Sequence, residues 1–116
     1  MSKLALALAF SLVASSALAH PKLISAAPAP AAQVATPAQI RIVFSEPVFP
    51  KFSGVVLHDQ HGKAMATGAP SVDPADHKVL IVPLKATLAP GAYHLTWHAV
   101  AADTHRVQGE YGFVVK

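Results

Sequence analysis

Residues 92–100 read Ala92-Tyr93-His94-Leu95-Thr96-Trp97-His98-Ala99-Val100. Tyr93, Leu95, Trp97 and Ala99 fall on one side of an extended chain, and His94, Thr96, His98 and Val100 on the other. That period of two belongs to a strand with one buried face. Ala89-Pro90-Gly91 ahead of it is a tight turn. Beyond a loop over residues 101–106, residues 107–115 alternate again, with Val107, Gly109, Tyr111, Phe113 and Val115 expected inward. Farther back, residues 39–45 place Ile40, Ile42 and Phe44 opposite Gln39, Arg41 and Ser45 before Glu46-Pro47 ends the run. Residues 54–58 and the β-branched run 78–84 read as further strands, with a turn over residues 59–63. Lys22, Leu23, Ile24 and Ser25 suit a short first strand. Pro28-Ala29-Pro30-Ala31-Ala32 reads as a proline-rich connection rather than a strand. No window shows a helical period, and ten prolines and six glycines punctuate the strands. The expected class is all-β: a small antiparallel Greek-key β-sandwich.

The chain opens with Lys3, an apolar stretch and the small residues Ala17 and Ala19, the pattern of an export signal. The apolar run ends by residue 18, too short to span a membrane. Cleavage after Ala19 would leave residues 20–116, or 116 − 19 = 97 residues, enough for one domain of ordinary size. The expectation is a soluble exported protein. The formal charge is +3, falling to +2 without Lys3. There is no Lys/Arg cluster with interleaved aromatics, so nucleic acid is not an expected partner. The chain has no cysteine, which removes thiolate metal sites and thiol catalysis and leaves packing to hold the fold. Seven histidines are a surplus that asks for an explanation.

Cleavage after Ala19 would make His20 the first residue. Its α-amine and ring could then chelate one metal ion. Pro21 has no backbone N–H, so that amide offers the metal no nitrogen. Asp103-Thr104-His105 lies in the loop between the last two strands. If that segment is extended, Asp103 and His105 point to the same side. Amine, two imidazoles and a carboxylate make an N3O set, which favours Cu(II). Each part also has an ordinary reading: Asp103 capping its own turn, His105 solvated, His20 a chance residue at a cleavage boundary.

The residues His20-Pro21-Lys22-Leu23, Phe44-Ser45-Glu46, Phe52-Ser53-Gly54, Leu88 with Pro90-Gly91, Trp97, and Asp103-Thr104-His105 with Gly109 carry a resemblance. The mature sequence resembles the CopC/PcoC-type periplasmic copper resistance proteins along essentially its whole length. The resemblance implies a cupredoxin-like or immunoglobulin-like β-barrel. It also implies one Cu(II) per monomer, held by the amine and ring of His20, by Asp103 and by His105. The implied role is copper resistance and homeostasis without catalysis: buffering copper and passing it to a CopD-like inner-membrane partner. Some relatives carry a methionine-rich Cu(I) loop. Here that segment keeps only Met65, with His58 and His61 nearby, and thioether ligation of Cu(I) needs several sulfurs.

His98 and Arg106 adjoin the Asp-Thr-His loop and could position its ligands. Glu46 could accept a hydrogen bond from His20, and His77 and His94 have no evident partner. Two other functions are open. A copper-dependent oxidative enzyme of the polysaccharide monooxygenase type also uses an N-terminal histidine chelate, but leaves positions open for oxygen and presents exposed aromatics. A metal-free structural sandwich leaves the histidines unexplained.

Overall fold

Alternation becomes strand pairing in the computed structural model, which describes residues 20–116. The expected export signal and cleavage site lie outside the described residues. Eight strands form: β1 (Leu23–Ala27), β2 (Gln33–Val34), β3 (Gln39–Phe44), β4 (Gly54–Asp59), β5 (Ser71–Asp73), β6 (Asp76–Pro83), β7 (Gly91–Val100) and β8 (Arg106–Val115). They make two four-stranded sheets, β1-β3-β6-β5 and β2-β8-β7-β4. The expected all-β sandwich is the observed architecture. Among the described residues no helix is long and apolar enough to cross a membrane.

The first sheet contributes Ile40, Ile42, Phe44, Leu80 and Val82 to the core, and the second contributes Leu57, Leu95, Trp97, Phe113 and Val115. Phe44 meets Trp97 edge-on at 5.3 Å between ring centres, and Tyr93 stacks on Phe113 at 5.7 Å. Such aromatic pairs add about 0.5–1.5 kcal/mol each to their burial. Gly109 sits opposite Trp97 in the β7–β8 ladder, where a Cβ would lie 2.5 Å from the indole. A side chain there would push the largest core residue out of place. Val107 and Tyr111, expected fully inward, are only half-buried and pack at the margin of the core. The Tyr111 hydroxyl donates to the Pro28 carbonyl at 2.9 Å, and burial pushes its phenol pKa up to about 12.

Two short strands depart from the sequence expectation. The proline-rich connection runs into β2, which pairs in parallel with β8. Two residues are too few for periodicity to register. Likewise β5 is three residues beside β6, and its one half-buried apolar side chain, Val72, gives no alternation to read.

Candidate metal centre

His20 precedes β1 and is held by its neighbours rather than by its own contacts. Pro21 is buried. The Lys22 N–H donates to Ser45 Oγ at 2.9 Å, and the Ser45 N–H returns a bond to the Lys22 carbonyl at 2.8 Å. These bonds tie the start of the domain to the end of β3.

Asp103 and His105 come from the β7–β8 loop. Ten paired positions, from Gly91 with Val115 to Val100 with Arg106, fix where that loop emerges. Buried Ala101 bridges to Val48, and the Phe49 N–H donates to the Val100 carbonyl at 2.9 Å. The segment is not extended. Thr104 has φ of 64°, a left-handed conformation that non-glycine residues seldom adopt. Its N–H donates to the Ala101 carbonyl at 2.9 Å. Asp103 and His105 are therefore brought together by a tight turn, not by the two-residue period of a strand. The ordinary reading of Asp103 is half right: its Oδ1 accepts the His105 N–H at 3.2 Å.

The other oxygen is the notable one. Asp103 Oδ2 lies 2.5 Å from His20 Nδ1 and 3.8 Å from His105 Nδ1. The Asp103 side chain is only 6% exposed, against 57% and 72% for the two histidines. Yet Oδ2 is buried without an aligned hydrogen bond. The short His20 contact is one of proximity, not of donor geometry. The two rings stand 5.2 Å apart and tilted by 48°. Among the described residues, His20, Asp103 and His105 are the one group of three such ligands, with all three ligand atoms within 4.8 Å of one another. Metal–nitrogen and metal–oxygen bonds of about 2.0–2.2 Å put ligands of a common ion roughly 3–4 Å apart. The three ligand atoms, all within 4.8 Å of one another, lie near that spacing.

The remaining candidates are elsewhere. Met65 packs against the core, His61 is exposed in the turn after β4, and His58 pairs across the sheet with His94. His94 gains a partner the sequence did not suggest, Glu110 Oε2 at 3.1 Å. Glu46 makes no hydrogen bond to His20 among the described residues; it lines a cleft of about 380 Å³ with His77 and Asp103. Arg106 faces the same side of the sheet as His98. Burial, and then the Arg106 charge, hold the His98 pKa below the usual imidazole value.

The CopC domain family pattern matches residues 23–116. Copper resistance protein C of Escherichia coli is 40% identical over 110 residues, covering 90% of this chain and 87% of the relative. The crystal structure of PcoC, a methionine-rich copper resistance protein from Escherichia coli, superposes with a TM-score of 0.76 at 35% identity. It covers 84% of this chain and 100% of that one. The crystal structure of CopC from Methylosinus trichosporium OB3b gives a TM-score of 0.77 at 26% identity, covering 84% and 94%.

Proposed function

The chain belongs to the CopC domain family, and from that premise we propose that it is a periplasmic Cu(II)-binding protein of copper resistance. It binds one ion per monomer at the amine and ring of His20, the ring of His105 and the carboxylate of Asp103. It buffers the ion and passes it to a CopD-like inner-membrane partner. The observation that carries the reading is Asp103 Oδ2: a buried carboxylate oxygen facing two imidazole nitrogens with no hydrogen bond of its own. A buried carboxylate oxygen that accepts no hydrogen bond is costly, and a cation shared with the two facing imidazoles offsets that cost. Export supplies the fourth ligand, because the His20 nitrogen becomes an amine only when residues 1–19 are cut away. The single methionine left in residues 20–116, Met65, is taken up by core packing, so the copper handled is Cu(II) rather than thioether-bound Cu(I).

The family consists of copper-binding resistance proteins, not enzymes. Tyr93, Trp97 and Phe113, the aromatics expected on the core face, are core residues. Electron paramagnetic resonance of the processed protein with one equivalent of Cu(II) tests the site. A nitrogen-dominated tetragonal spectrum is expected, weakened strongly by His105→Ala and unaffected by His61→Ala. The reverse pattern would put the copper at the other end of the sandwich.

A further inference from the structure

The outer face of the second sheet carries a cleft of about 570 Å³ beside the Asp103–His105 loop. Val100 and His98, neighbours on the outward side of β7, line it. The His98 ring lies against Gly54, where a Cβ would stand 3.3 Å from ring Cε1. The loop holding Phe49, Lys51 and Phe52 lines it too, drawn onto β7 by the bond from Phe49 to Val100. Phe49 and Phe52 are 46% and 59% exposed. Thr104 and Arg106 complete the lining.

Two properties of this cleft point to a ligand. First, its charge is of one sign. Lys51, Arg106 and, when protonated, His98 line it, and no acidic residue does. Among the described residues neither Lys51 nor Arg106 has an ion-pair partner, whereas Arg41 pairs with Asp73 at 3.3 Å. Clefts lined by one sign of charge concentrate counter-ions and speed their arrival. Second, two exposed phenyl rings beside the cations suit a ligand with an organic body rather than a bare inorganic anion. The volume lies in the range of small-ligand sites.

We propose that this cleft is a carboxylate-binding site adjoining the metal centre. It takes a multiply charged carboxylate, either a free chelator or the acidic side chains of another protein. Its proposed role rests on the copper reading above. Thr104 belongs both to the cleft and to the Asp103–His105 turn, so a carboxylate bound here stands next to the copper ligands. The same cations oppose the approach of bare Cu(II) from this side and favour an ion already carried by carboxylates. The cleft therefore selects the form in which copper arrives or leaves.

The binding step can be tested on the copper-free processed protein by nuclear magnetic resonance at pH 7. The probe is citrate, followed by a hexaglutamate peptide, each against sulfate at matched ionic strength. Saturable shifts are expected at the amides of Val100, Thr104 and Arg106 and at the His98 ring. Lys51→Gln and Arg106→Gln should each weaken binding about threefold or more, and together tenfold or more; Lys85→Gln, an exposed lysine elsewhere, should leave it unchanged. Because Arg106 follows a proposed copper ligand, Lys51→Gln provides a handle on a separate loop, and unchanged amide spectra certify both folds. Citrate binding without hexaglutamate binding assigns the site to a free chelator, and the reverse to a protein partner. Equal shifts with sulfate, no saturation, or indifference to both substitutions would overturn the proposal. A parallel Cu(II) titration without citrate keeps the two readings apart: loss of copper binding with citrate binding intact would sink the copper centre and not the cleft.

Discussion

Asp103 uses its two oxygens differently. Oδ1 closes the turn by accepting the His105 N–H, and Oδ2 is left facing two imidazoles. A carboxylate so divided is oriented before any ion arrives, which reduces what binding must order. His20 has no such fixation except through Pro21 and Lys22, and in the proposed site its amine completes a chelate with its own ring. One extra residue, such as Met, ahead of His20 turns that amine into an amide and breaks the chelate ring. All side chains remain, and an exposed terminal residue leaves the core alone. Cu(II) affinity should fall by several orders of magnitude, each tenfold being about 1.4 kcal/mol. Competition titrations on both forms, with termini verified by mass, check this; equal affinities would remove the amine from the site. His98 gives a second test at this scale. Its pKa is lowered by burial first and by Arg106 second. The neutral ring is favoured in the fold, so stability rises with pH between the lowered folded value and the unfolded value of about 6.5. Arg106→Gln should move the His98 titration midpoint upward but not fully back, because burial remains. A midpoint unmoved by the substitution would show that the Arg106 charge does not reach the ring.

At the scale of elements, the β7–β8 hairpin is the aiming device. Its ten-pair ladder fixes the direction of both strands, and Val48 braces the loop through Ala101. Within that frame the turn alone sets where Asp103 and His105 point. A single glycine inserted between Ala102 and Asp103 should therefore spare the sheets and destroy the site. Loops absorb such insertions at little thermodynamic cost, while ligands must stay close to their bonding distances. The unfolding midpoint should move by only a few degrees, and the nitrogen-rich Cu(II) spectrum should disappear. A variant that keeps the spectrum would show that the turn's conformation is not what positions the ligands.

Across the whole molecule, the proposed ion would join the two halves of the sandwich. His20 leads into β1 in one sheet, and Asp103 and His105 sit between β7 and β8 in the other. The chain has no disulfide to do this, since it has no cysteine. A ligand that binds only the folded state stabilises it by about 2.7 kcal/mol at a hundred times its dissociation constant. For a domain of this size that corresponds to a rise in Tm on the order of 10 °C. Calorimetry with and without Cu(II) measures it. The rise should be largely lost in the form carrying an extra residue before His20; an equal rise in both forms would place the stabilising copper elsewhere.

Most of the fold was legible in the sequence because a strand with one wet face writes its period into the chain. Ile40-Arg41-Ile42-Val43-Phe44 and Tyr93 to Ala99 could hardly pair any other way. The residue types of the candidate site were legible too, as donors of matching chemistry at an expected new terminus and in a loop. Other features left no local trace. The parallel β2 is two residues long, Met65 reads as a loop residue until the core is seen to need it, and Glu110 finds His94 only through the β7–β8 register. The positive φ of Thr104 and the burial of Asp103 Oδ2 belong to the closed loop and the strands around it. So does the cationic cleft, whose members are separated along the chain. Periodicity is a property of neighbouring residues, and the chain alone determines it. The meeting of His20 with Asp103 and His105, across more than eighty residues, depends on two sheets packing face to face, and only the tertiary structure decides that.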